Sequence, residues 1–154
     1  MKEVRDAFAG TAVERLAIIA AELDAIESGS DSPDEVAPAL LRLAEQVLET
    51  WIEAHGQVPT QATKEGFRIL ALHRQGARGD PSFNACRETV RELVYRHNVA
   101  REPGVIDAAA WPRQRTLMVM VARHLCLFIE GKLTEAGLGT FCCSAKPMRA
   151  DASG

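Results

Sequence analysis

The sequence predicts an all-α protein that folds as a single-domain bundle of about five helices. Three observations predict this fold. Apolar residues recur at three- and four-residue steps, helix start and stop signals divide the chain, and no long stretch alternates with the period of a β-strand. The chain has 154 residues, 47% of them hydrophobic, which is enough to bury a core. We expect the bundle domain to cover residues 1–139 and an irregular tail to cover residues 140–154.

A polar turn separates the first two helices. Thr11-Ala-Val-Glu14 has the pattern of a capping box, which predicts a helix start near residue 11, with residues 2–9 adding an earlier turn or two. The apolar period breaks after residue 28. Ser32 and Pro33 then supply an N-cap and a proline for the first turn of helix two. This helix is expected to end at Gly56.

Proline and glycine also bound the third and fourth helices. Pro59 and Thr60 precede a helix predicted over about 61–75, which Gly76 is expected to end. Asp80-Pro81 then begins a fourth helix that extends to about residue 99. We expect Phe83, Cys86 and Val90 to lie on its inner face.

Helix five, predicted over about 112–136, is the most apolar segment and should be largely buried. Pro112 opens it and the glycines at 137 and 139 end it. Arg123 interrupts the apolar run and lies on a narrow polar stripe. We expect it to pair with an acidic residue of the N-terminal helices.

Charge is unevenly distributed along the chain. The net charge is −3, yet residues 1–56 carry 4 Lys and Arg against 12 Asp and Glu, and residues 57–154 carry 14 against 9. An acidic first third beside a basic remainder favours pairing within the chain or head-to-tail association. It argues only weakly for nucleic acid, which usually binds a more basic domain.

The first residues and the cysteines indicate a cytoplasmic protein. MKEVRDAFAG is charged and lacks the apolar centre of a secretory signal. The longest apolar run, 117–129, is shorter than the roughly 20 residues that a membrane-spanning helix needs. Four cysteines without a signal are expected to remain reduced. The adjacent Cys142 and Cys143 match no zinc-binding spacing.

The most unusual stretch, HRQGARGDPSFNACRE from residue 73 to residue 88, joins helices three and four. The start of helix four directs unpaired backbone N–H groups into this corner. Two arginines one turn apart, Arg87 and Arg91, repel each other unless an anion or acid lies between them. We expect a site here for a phosphate, a carboxylate or an acidic partner, formed by Arg74, Arg78, Asn84, Arg87 and Arg91.

A structural interpretation of the same corner competes with the ligand site. In this interpretation Asp80 caps helix four, and the arginines pair with Glu88, Glu92 and the acidic N-terminal helices. Asp80 beside the helix start would also compete with a bound anion. The sequence alone favours this interpretation because arginine runs are usually solvated or paired.

Inward histidines and a thiol form a second candidate site. On a helical wheel, Cys86 and His97 share the apolar arc of helix four, His124 lies among apolar residues of helix five, and His73 lies beside Ile69. Such residues could hold a metal or haem between helices. The sequence contains no H-E-x-x-H, E-x-x-H or C-x-x-C motif, so hydrogen-bonded core histidines are the favoured interpretation.

The sequence shows no recognisable catalytic constellation, so an enzyme is disfavoured. It lacks G-x-S-x-G, a glycine-rich phosphate loop and a nucleophile beside a His/Asp pair. We therefore expect a small helical interaction or regulatory protein that docks on a protein partner or forms a homo-oligomer. The alternative is a bundle that binds a small anion or a metal. A nucleic-acid-binding role is disfavoured because the turn from Gly76 to Asp80 exceeds that of a helix-turn-helix.

Overall fold

This computed structural model describes residues 2–78 and 80–137, with side chains from residue 12 onward. Within these ranges the chain forms five α-helices and one short 3-10 helix, joined by loops. These ranges contain no β-strand, which confirms the all-α fold of packed helices. None of their helices combines the length and apolarity needed to cross a membrane. The tail expected over 140–154, with Cys142 and Cys143, lies outside the described residues. The elements are α1 (Lys2–Ser28), α2 (Pro33–Ala54), α3 (Arg68–Arg78), the 3-10 helix (Pro81–Cys86), α4 (Arg87–Arg101) and α5 (Trp111–Glu135).

α2 lies at the centre of the bundle and contacts each of the other four α-helices. Its start follows the predicted signal, since the carboxylate of Glu35 accepts a hydrogen bond from the backbone N–H of Ser32 at 3.1 Å. Its end is also as expected. Gly56 follows the helix at φ +79°, a conformation that favours glycine.

α1 packs against α2 and α5 and begins earlier than the capping-box pattern predicts. The helix starts at Lys2, so Thr11 lies inside it rather than at its start. Arg123 of α5 forms ion pairs with Asp24 at 2.5 Å and Glu27 at 3.0 Å, both on α1. The predicted pairing of Arg123 with an acidic N-terminal helix is therefore confirmed.

Helix three begins and ends later than predicted, and residues 61–67 form part of a loop. Lys64 and Phe67 exchange two backbone hydrogen bonds of 3.0 Å across a tight turn. The central residues, Glu65 and Gly66, have φ values of +56° and +86°, as in a type I′ turn, and a right-handed helix cannot accommodate them. Gly76 lies inside α3 instead of ending it.

Helix four begins with a 3-10 segment rather than an α-helix. Asp80 caps this segment, and its carboxylate accepts a hydrogen bond from the backbone N–H of Ser82 at 3.1 Å. Residues i and i+3 eclipse in a 3-10 helix, which directs Phe83 and Cys86 together into the core. Phe83 is fully buried and stacks on Trp51 with ring centroids 5.3 Å apart. This aromatic contact anchors the corner to α2.

α5 buries one side against α1, α2 and α4 and exposes the other. Leu125 and Ile129 are fully buried, whereas Met120 and Leu127 are 52% and 60% exposed. His124 lies on the exposed side, so its expected inward position is wrong. The wheel places His124 among apolar neighbours, but Met120 is exposed and Leu117 is only partly buried, so apolar residues on this side of α5 do not mark a buried face.

Candidate functional site

Two adjoining cavities lie over the corner between α3 and α4, and we call them together the basic groove. The first, the arginine pocket, has a volume of about 310 Å³ and is lined by Lys64, His73, Arg74, Ala77, Arg78, Asn84 and Arg87. The second, the loop pocket, has a volume of about 550 Å³ and is lined by Val58, Pro59, Thr60, Ala62, Thr63, Lys64, Ala71, Arg74, Gln75 and Arg78. Three cationic residues line both cavities, which makes the groove continuous.

The structure brings together four of the five residues that the sequence proposes for anion binding. Arg74, Arg78, Asn84 and Arg87 all line the arginine pocket. The fifth, Arg91, is engaged instead by Glu65, with an N–O distance of 3.0 Å.

Lys64 also lines the pocket, and the sequence reasoning missed it. It precedes the turn formed by Glu65 and Gly66, which brings it beside α3. The glycine at position 66 is the signal that could have revealed this turn inside the segment predicted as helix three.

Gln75 of α3 holds the loop that forms one wall of the groove. Its side-chain oxygen accepts a hydrogen bond from the backbone N–H of Thr60 at 2.8 Å, and its amide donates to the carbonyl of Val58 at 2.8 Å. Arg68 donates from Nε to the Thr60 carbonyl at 2.8 Å and forms an ion pair with Glu49 of α2. The loop is thus fixed to both α2 and α3.

No described acidic residue pairs directly with the cations of the groove. Glu65 lies close enough to feel their charge, since its pKa is lowered mainly by Arg91 and also by Lys64 and Arg87. Among the residues that the structure describes, no aspartate or glutamate lines either cavity. Within residues 12–78 and 80–137, no acidic group lies within 4.0 Å of the charged nitrogens of four groove residues, Lys64, Arg74, Arg78 and Arg87. Like charges that share a pocket repel one another, and a bound anion would relieve that repulsion.

The structural interpretation pairs the groove arginines with Glu88, Glu92 and the acids of the N-terminal helices, and these pairs do not form among the described residues. Glu88 has no ion-pair partner there. Glu92 pairs with Arg96 one turn away at 2.9 Å. Five acidic residues of α1 and α2 form ion pairs, and their partners are basic residues outside the groove, namely Arg15, Arg68 and Arg123. Ion pairing within the described part of the chain therefore leaves the groove arginines free to bind an anion.

The structural interpretation also predicts that Asp80 caps helix four. This prediction is confirmed, because Asp80 caps the 3-10 segment with which that helix begins. Lys132 of α5 lies 2.8 Å from the Asp80 carboxylate. This contact and the hydrogen bond to Ser82 lower the pKa of Asp80, which favours its charged form. An anion in the groove would therefore be held by side chains and not by the start of this helix.

His73 and Cys86 lie beneath the arginine pocket and share one acceptor. His73 Nε2 and Cys86 Sγ both donate to the carbonyl of Phe83, each at 3.2 Å. Burial lowers the pKa of His73, and the charges of Arg87 and Lys64 lower it further. Burial raises the pKa of the Cys86 thiol to about 12. At neutral pH these groups are a neutral imidazole and a protonated thiol, which suits a structural role.

The other two candidate metal ligands lie elsewhere. His97 Nδ1 contacts the side-chain oxygen of Asn98 at 3.0 Å, and its ring packs edge-on against Phe67. His124 is exposed on α5. In the part of the chain that the structure describes, no three His, Cys, Asp or Glu side chains are grouped so as to hold a metal ion.

Comparison with known proteins identifies no matching family, no similar curated protein and no similar solved structure. The function is therefore inferred from the charge and shape of the basic groove.

Proposed function

We propose that this chain is a cytoplasmic docking protein whose basic groove binds an acidic segment of a partner protein. The observation that carries this proposal is the set of four cationic side chains along one continuous groove that no described acidic residue lines: Lys64, Arg74, Arg78 and Arg87. Carboxylates of a partner would supply the missing counter-charge through charge-assisted hydrogen bonds.

The loop pocket favours an extended peptide over an isolated small anion. Its wall includes Val58, which is 84% exposed, together with Pro59, Ala62 and Ala71. Apolar surface beside a cationic pocket suits a chain of alternating acidic and apolar side chains. The described lining of both pockets contains no Phe, Tyr or Trp, the side chains on which nucleic-acid bases stack.

The test is a titration of a fluorescein-labelled acidic peptide, rich in glutamate, followed by fluorescence anisotropy. We expect binding that weakens as salt is added, because the contacts are between partly exposed charges. Arg74→Gln and Arg87→Gln should each weaken it about tenfold, the loss expected for one charge-assisted hydrogen bond.

Arg42→Gln is the matched control for this titration. Arg42 is an exposed arginine on α2 that lines neither cavity, so its replacement removes the same charge without touching the groove. Equal affinity for all variants, or preferential binding of an oligolysine peptide or of single-stranded RNA, would contradict the proposal.

A second observation supports self-association, and we propose that two copies pair through the exposed face of α5. Met120 and Leu127 flank His124 on this face, with Leu117 and Phe128 partly exposed beside them. Spacings of three and four residues place these side chains in one strip along the helix. Apolar strips of this kind commonly pair with a second helix.

The charges at the two ends of α5 indicate which occupant fits this strip. Arg113 near its start and Glu135 at its end are both exposed. An antiparallel arrangement about a two-fold axis near His124 places Arg113 of one copy beside Glu135 of the other, at both ends. A parallel arrangement would instead bring like charges together.

Native mass spectrometry and sedimentation velocity test this pairing. We expect a dimer that Leu127→Glu or Arg113→Glu weakens and that the double variant Arg113→Glu/Glu135→Arg restores. A monomer at all concentrations, or a double variant no better than either single variant, would exclude antiparallel pairing through α5.

A further inference from the structure

The arginine pocket concentrates more positive charge than a single carboxylate can neutralise. Its lining contains one lysine and three arginines within about 310 Å³, and no described acidic residue. Two acidic residues of the corner are already engaged by other cations, Asp80 by Lys132 and Glu65 by Arg91. The positive charge also acts on its surroundings, because Arg87 and Lys64 lower the pKa of the buried imidazole beneath them.

The donors of this pocket come from four separate elements. Lys64 comes from the turn before α3, Arg74 and Arg78 lie one turn apart on α3, and Arg87 begins α4. Asn84 adds a side-chain amide from the 3-10 helix. Each guanidinium can present two parallel N–H groups to one oxyanion, a geometry that suits a group with several equivalent oxygens.

We infer that the arginine pocket receives a phosphorylated side chain of the docked segment, an inference that rests on the proposed docking function. A phosphoryl group carries a charge of about −1.5 to −2 at pH 7 and three strong acceptor oxygens. It therefore matches both the excess charge and the number of donors, which a carboxylate with one charge and two oxygens does not.

The loop pocket would bind the residues on either side of the phosphorylated side chain. It shares Lys64, Arg74 and Arg78 with the arginine pocket and continues past them to Val58 and Pro59. The residues that flank the phosphorylated side chain would lie here against apolar surface. This arrangement distinguishes a phosphorylated peptide from free phosphate, which can use only the arginine pocket.

The experiment compares two fluorescein-labelled peptides of one acidic sequence, with serine or phosphoserine at the centre. Both are titrated into the full chain, into Arg78→Gln and Arg87→Gln, and into the Arg42→Gln control. We expect phosphorylation to tighten binding about tenfold or more, as one or two added charge-assisted hydrogen bonds would. This gain should be lost in Arg78→Gln and Arg87→Gln and kept in Arg42→Gln, and circular dichroism should show that every variant is folded.

Each alternative outcome identifies which inference has failed. If both peptides bind equally and with salt dependence, the docking function stands and the phosphoryl inference is wrong. If neither peptide binds, both are wrong. If inorganic phosphate alone binds as tightly as the phosphopeptide, the pocket takes a free anion and recognition of a phosphorylated segment is refuted.

Discussion

Replacing Gly76 by alanine tests the packing that shapes the groove. Gly76 lies inside α3, and a Cβ atom at this position would lie 2.8 Å from Cε2 and 3.1 Å from Cζ of Phe83. Phe83 cannot move aside easily because it is fully buried between Trp51 and Phe128, with ring centroids 5.3 and 6.1 Å away. Gly131 of α5 provides the matched control, since its added Cβ would meet nothing within 4 Å.

The two substitutions should differ only in the cost of overpacking at position 76. Alanine in place of glycine inside a helix stabilises the folded state by about 1 kcal/mol, and both variants receive this gain. Overpacking a close-packed site costs about 1–3 kcal/mol, and only Gly76→Ala incurs that cost. The free energy of unfolding of Gly76→Ala should therefore lie about 1–3 kcal/mol below that of Gly131→Ala.

Urea unfolding followed by circular dichroism measures both values in dilute solution. Thermal unfolding should show the same order, with about 2–4 °C for each kcal/mol in a chain of this size. Equal stabilisation by the two substitutions would contradict this prediction, because it would show that the Phe83 ring does not cover Gly76.

Three further predictions follow from buried or paired groups. Since the folded pKa of His73 is lowered, the unfolded chain takes up the proton first, so stability should fall as the pH drops below about 6.5. His73→Gln should flatten this dependence in urea unfolding measured across that pH range. The thiols of Cys86 and Cys126, whose pKa values burial raises to about 12 and about 11, should react slowly with iodoacetamide until the chain unfolds, as peptide mass spectrometry would show. Arg123→Ala should lower the free energy of unfolding by about 1 kcal/mol, because its ion pairs with α1 are partly exposed to solvent. A loss of several kcal/mol in urea unfolding would contradict this.

The helix boundaries that depend on local chemistry were predictable from the sequence. Ser32 and Gly56 delimit α2 because an N-cap and a left-handed glycine act through the backbone beside them. The third helix begins later than predicted because of the turn at Glu65 and Gly66. It also continues past Gly76, which resembles a stop signal but lies where the Phe83 ring leaves little room for a side chain. That contact joins residues of two elements, and local pattern does not encode it.

In the candidate site, too, the residues placed by local helix spacing could be predicted from the sequence, and those placed by tertiary contacts could not. The corner sequence identifies Arg74, Arg78 and Arg87, because their spacing on two helices is a local property. It does not reveal Lys64, which reaches the pocket only through a turn in a segment that resembles a helix. It also cannot show that Glu65 withdraws Arg91 from the group, since that ion pair spans 26 residues.

Binding of an acidic segment in the basic groove is tested by an NMR titration of the isotope-labelled chain with the glutamate-rich peptide. We expect chemical-shift changes to concentrate on the loop before α3, on α3 and on the start of α4. The pKa of His73 should rise, because bound carboxylates offset the nearby positive charges. Changes confined to the exposed face of α5, or no change at saturating peptide, would contradict the assignment of the basic groove as the docking site.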